Sequence, residues 1–443
     1  MNKISKISLC WLIFLFSFFC GFYVYDFQIW PYGPLSKIQD FFEGHSSEDL
    51  SLKEKVQNDF NFKPSRHIKV VNRKEDQEVE YEEINGLNLN SRRKKPKVFI
   101  SDQAPEGYRV IYGTFDFENV LHGAIMLDSK GHVVHVWHIS QEDLAWKSYD
   151  DTNVFPHGFE VASDGSIVTA YDSGSSLTKY DYCGDVIWRL KGSFHHSIEF
   201  EGQEAIWVWK DTKTSAGWRK CLTKIDYQTG DILKEIALQK IMEENPKIDI
   251  FGILQKDTGS GSSWINEGGG RWHPNDIDPL PKTLANHYPE FNTDDLLVSL
   301  RSPNLIFILD QKTLKVKWWR QGLTRRQHDP DWNDKGTITI FNNNMHRGFS
   351  NIMEVNPNTY EYNIILKGKK YNFYTWWRGK HQMMPNGGFL VTSSEQGRVF
   401  ETSSEGDITF EFINSYGENQ EVLAISEALF LPKNYFKELP QCE

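Results

Sequence analysis

Five histidines recur at matching places in this chain: His157 in FPHGFEVASDGSIVTAY, His196 in FHHSIEFEGQEAIWVW, His273 in RWHPNDIDPL, His328 in RRQHDPDWNDKGTITIF and His381 in KHQMMPNGGFLVTSS. An alternating apolar stretch, a polar or glycine turn and a strand follow each one. Aligning His-x-x-Glu of His157 and Glu160 with HHSIEF selects His196 over His195. Arg301 ends the apolar run Asp294 to Leu300, in the same repeat as His273 and Asn275. A neutral imidazole can act as a nucleophile, and a guanidinium offers a fork of donors to a tetrahedral oxyanion. Asn275 adds an amide donor. A metal site among these imidazoles would suffer repulsion from the arginine. Hydrolysis by acid and base would need a paired carboxylate or a metal-activated water, and neither spacing is evident. Group transfer through histidine suits the inventory best, with no metal and no cofactor expected.

Strands must bring these residues together. A second repeat of the form apolar-Asp, turn, strand alternates with the first. It reads LDSKGHVVHVW from Leu127, YDYCGDVIW from Tyr180, IDYQTGDIL from Ile225 and LDQKTLKVKWW from Leu309, with looser copies from Val355 and Glu401. Asp opens the turn and Gly or Thr completes it, so each copy is a hairpin. Two hairpins make a four-stranded unit of roughly 40 to 55 residues, a period typical of blades. Six units without helical pattern between them predict an all-β, six-bladed β-propeller over 107–443. The chain end, Val422 to Leu431, is expected to complete a blade begun by Tyr108 to Phe115. In a propeller the first strand of each blade lines the central channel, so a residue recurring at its start in five blades converges on one mouth. A blade-entry histidine can also serve only to pin its blade, as in WD-repeat propellers, but the paired Gly-His and Trp-Asp signatures are absent here.

Composition sets the surroundings. The net charge is -11 over 443 residues, so no basic face is advertised and nucleic acid is not an expected partner. Aromatics at 14% suit a large β-rich core. Lys3 and Lys6 precede about 19 uncharged residues, Ile7 to Tyr25, long enough for a membrane-spanning helix. The expectation is an uncleaved signal anchor over 1–25, with the propeller outside the cytoplasm, periplasmic in a Gram-negative cell. A cleaved signal peptide would export the same domain. Residues 26–106, weakly periodic and rich in charged runs, read as a stalk or linker. The five cysteines show no CxxC or metal spacing, and a Cys183–Cys221 disulfide is left open. The glycine- and serine-rich run from Gly259 to Gly270 reads equally as a lid or as a surface insertion.

The segments HHSIEF, WHPND, QHDPDW and VTSSEQGRVFE, with the strand-ending Arg301, together resemble the bacterial aryl-sulfate sulfotransferase family. The resemblance runs from Gly107 to Leu431. It implies a six-bladed propeller that moves a sulfuryl group from an aryl sulfate to a phenolic acceptor without a nucleotide donor, through a transient sulfo-histidine and ping-pong kinetics. On this resemblance His328 is the nucleophile. His196 and His273 bind the sulfuryl oxygens or assist the phenolic proton, and Asn275 and Arg301 hold developing charge. Thr392 matches a pocket threonine, while His157 and His381, from their blade-entry position rather than the resemblance, are expected to join the substrate-binding set. Pro274 after His273, the longer insert before Arg301, and the anchor and stalk depart from the family pattern. Two other readings stand beside it: a non-catalytic propeller binding an anionic ligand or a protein, and a metal- or quinone-dependent propeller enzyme. Oligomeric state is open, a homodimer included.

Overall fold

The structure is a computed structural model that describes residues 80–91, 93–139, 155–172, 176–214, 217–248, 272–417, 420–439 and 441–442, together with 17 and 68–70. The apolar segment from Ile7 to Tyr25, most of the proposed stalk and the Gly259 to Gly270 run lie outside the described residues. Among the described residues no helix is long and apolar enough to cross a membrane.

Six antiparallel sheets follow one another along the chain, each counted from an inner strand. The inner strands are β1 (Phe155–Val161), β2 (Ser193–Glu201), β3 (Pro274–Pro279), β4 (His328–Trp332), β5 (Lys380–Met383) and β6 (Ile425–Pro432). Each packs against the next, and β6 packs against β1, so they close a ring around a central channel. This is a six-bladed β-propeller. Two short helices, Leu238–Glu244 and Gly368–Tyr371, follow the outer strands of the second and fourth blades. β6 comes from the chain end and pairs antiparallel with Gly107–Thr114, with Leu431 opposite Tyr108, so the last blade joins both ends of the domain. That closure removes the free edge a linear stack of blades would leave.

The turn residues behave as their types require. Asp128, Asp181, Asp226, Asp310 and Asn356 each accept two backbone N–H groups across their hairpins with one side-chain oxygen. The strands they join alternate into cores shared between blades. One such core gathers Trp207 and Trp209 of the second blade with Leu296, Val298 and Phe307 of the third. Each apolar face is covered by the neighbouring blade, as the strand alternation requires.

Two findings differ from the sequence reading. Within the segment read as a linker, Glu82–Glu83 and Lys97–Ile100 add two strands to the outer edge of the fifth blade, with Val98 opposite Phe412. Charged residues there face outward while Ile84 and Val98 are buried, which the charge runs concealed. Cys183 pairs with Cys442, not with Cys221, which is a buried free thiol. Cys221 sits on an interior strand of the second blade, whereas Cys183 lies in an exposed turn that the chain end can reach.

Candidate active site

Four inner strands change register beside their histidine. The shifts fall between Pro156 and Phe159, His195 and Ile198, Pro274 and Asp276, and His328 and Pro330. His196, His273 and Asp329 have positive φ (66°, 42° and 53°), a conformation that non-glycine residues seldom adopt. Such bulges re-aim side chains. Here they accompany a cluster of imidazoles. The His157 and His196 rings lie 4.1 Å apart, and His196 Nε2 is 3.3 Å from His273 Nε2. Gly158 makes this approach possible, because a side chain there would run into the carbonyl of His196.

His328 is held in one tautomer. Its Nδ1 is 2.7 Å from Asn343 Oδ1, and Asn343 Nδ2 donates to the carbonyls of Thr375 and Arg378. Two carbonyl acceptors fix the amide orientation, so Oδ1 faces the ring and Nδ1 must donate. Nε2 is left with its lone pair. Burial, then Arg301, push the His328 pKa well below the usual histidine value, and the Asn343 contact only partly offsets this. Burial and Arg301 push His273 down to about 3. Burial also depresses His157 and His196. The cluster is therefore neutral at physiological pH.

The Arg301 backbone N–H donates to the His273 carbonyl, which ties the two together. Among the described residues its buried Nε has no hydrogen-bond partner, and Nη2 meets Met345 Sδ at 3.8 Å. No carboxylate pairs with it among the described residues, so its donors remain available to an anion. Burial first, then the nearby Arg326, lower its pKa to about 10, so it stays charged.

Other expected residues are placed differently. The Asn275 amide donates to the carbonyl of Gln327, the residue before His328, so it braces β4. Thr392 is buried opposite Lys380 with its hydroxyl unpartnered. His381 stands apart from the other imidazoles. β5 pairs without a register break, so Lys380 and His381 take opposite faces, and His381 Nδ1 meets Asp329 Oδ2 at 2.8 Å.

Sequence reasoning missed several residues. His195 stands behind His196, Nδ1 to Nδ1 at 2.5 Å, and its Nε2 is 3.0 Å from Asp211 Oδ1. Burial would raise the Asp211 pKa, but His195 and Lys220 outweigh it and hold the carboxyl well below its usual range. Beyond the imidazoles, Lys380 Nζ lies 2.8 Å from Asp329, 3.3 Å from Glu199, 3.5 Å from Glu427 and 3.7 Å from Asp276. Part of the signal was present in Glu160, Glu199, Asp276 and Asp331, each three residues after a histidine. The pairing of Glu199 and Asp276 with a lysine from another blade was not. A separate cleft lined by Lys335, Lys370, Tyr371 and Gly406 contains none of the imidazoles.

Fold and site together define a propeller whose channel presents neutral imidazoles beside an unpaired guanidinium. A family model described as arylsulfotransferase (ASST) matches residues 158–415, more than half of the chain. The chain belongs to the arylsulfotransferase family. No curated protein matches it. Among solved structures, a Bacteroides caccae protein of unknown function is 10% identical, with 73% of this chain and 98% of that chain covered and a TM-score of 0.48. TolB from Acinetobacter baumannii is 12% identical, with 74% and 67% covered and a TM-score of 0.44. These two likenesses carry no argument about function.

Proposed function

We propose that the protein is an aryl-sulfate sulfotransferase that uses His328 as its nucleophile and works outside the cytoplasm. The observation that carries this reading is the fixed tautomer of a buried, neutral His328 beside Arg301. The Nε2 lone pair attacks the sulfur of an aryl sulfate. The N–S bond forms as the S–O bond to the aryl group breaks, and the phenoxide leaves with that electron pair. An N–H of the His196–His273 pair donates a hydrogen bond to the departing oxygen. The sulfated imidazole gains positive charge, which strengthens its Nδ1–H contact to Asn343. Arg301 faces the charge on the sulfuryl oxygens. As in phosphoryl transfer, catalysis of this kind rests mostly on positioning and charge stabilisation. In the second half-reaction the acceptor hydroxyl attacks the sulfur, its proton passes through the His196–His273 pair to solvent, and the N–S bond breaks to free Nε2.

The Cys183–Cys442 disulfide supports an oxidising compartment, and the apolar segment after Lys6 supports export with membrane anchoring. The test uses p-nitrophenyl sulfate with phenol as acceptor. Nitrophenol release is expected, with a sulfated His328 peptide visible by mass spectrometry when acceptor is withheld. His328→Ala should abolish both. Turnover that survives in this variant overturns the assignment, and anion binding without turnover points to a non-catalytic propeller.

A further inference from the structure

The carboxylates of the channel exceed its cations. Glu199, Asp276, Asp278, Asp329, Asp331 and Glu427 come from four inner strands, and Lys380 is the ammonium among them. Lys380 reaches four of these acids, which leaves Asp278 and Asp331 without it.

His381 faces Asp331. Its backbone N–H and its Nδ1 both meet Asp329 Oδ2, at 2.5 and 2.8 Å. Asp329 also accepts from Lys380, so it is an ionised acceptor and Nδ1 carries the imidazole proton. Nε2 therefore presents a lone pair. Among the described residues it has no hydrogen-bond partner, the side chain is 0% exposed, and Asp331 Oδ2 stands 3.7 Å away. His381 Nε2 and the Asp331 carboxyl thus face each other with no hydrogen bond between them, an arrangement that a cation between them resolves. A carboxylate that orients an imidazole through Nδ1 while Nε2 binds the ion is a recurrent feature of metal centres. Ligand atoms of Asp329, Asp331 and His381 all lie within 4.8 Å of one another. The Asp331 side chain is 30% exposed, which provides an entry path.

We propose that Asp331 and His381 bind a divalent metal ion between the inner strands of blades four and five, with Asp329 orienting the imidazole. One imidazole with carboxylate favours Zn2+ or Mn2+ over Ca2+ and Mg2+, which prefer all-oxygen sets. This site is distinct from the imidazole cluster beside Arg301, and it stands whether or not the sulfotransferase reading does.

The test loads the chelator-stripped full chain with Zn2+, removes free ion by gel filtration and measures bound metal by mass spectrometry. Roughly one ion per chain is expected to be retained. Asp331→Asn, at a partly exposed position, should weaken binding at least about 10-fold while circular dichroism stays unchanged, and His381→Gln should do the same. No retention by the unaltered chain overturns the proposal. Equal retention by folded Asp331→Asn does so as well, since the ion would then sit elsewhere.

Discussion

The tautomer of His328 depends on one neighbour. Asn343 fixes which ring nitrogen carries the proton, and its own two hydrogen bonds to Thr375 and Arg378 leave it no alternative orientation. Asn343→Leu removes that control, and the expected loss is about 10²–10³ in kcat, comparable to losing one preorganised donor. Stopped-flow measurement of nitrophenol release checks it. The pH profile tests the same residue. A depressed pKa keeps Nε2 unprotonated below the ordinary histidine range, so acid should begin to inhibit only below about pH 6.5. A midpoint in kcat/KM at or above that value would contradict the burial argument.

At the scale of the element, the register break decides which histidines meet. Strands with a break beside the histidine contribute to the cluster, and β5, paired continuously, turns His381 away. Blade junctions show the same dependence on neighbours. Arg109 of the closing blade makes a two-pronged contact to Glu401 of the fifth, at 2.8 Å on each side with both side chains fully buried. Glu401→Gln leaves a buried guanidinium without its counter-charge, which should cost about 3–5 kcal/mol in urea unfolding. A loss below about 1 kcal/mol would place this pair among contacts of surface strength.

For the whole molecule, closure is made twice: β6 pairs with Gly107–Thr114, and Cys442 ties the chain end to Cys183 in the first blade. Cys442→Ser should lower stability by about 2–4 kcal/mol. Thermal unfolding with and without reductant checks this, since only the unaltered chain should respond. A variant as stable as the parent would mean that strand pairing alone secures the end.

The sequence by itself determined the six blades, their Asp-led hairpins, the closing strand and the phase that favours His196 over His195. These follow from local period and turn chemistry, which short segments carry intact. The tertiary structure decided which imidazoles converge, that Asn275 braces β4, that Lys380 gathers acids from four other blades, and that Cys183 finds Cys442. Those outcomes depend on register breaks and on side chains from distant segments meeting at one axis. Neither is encoded in the spacing of any single repeat, because a one-residue change of register reverses the face on which a side chain emerges.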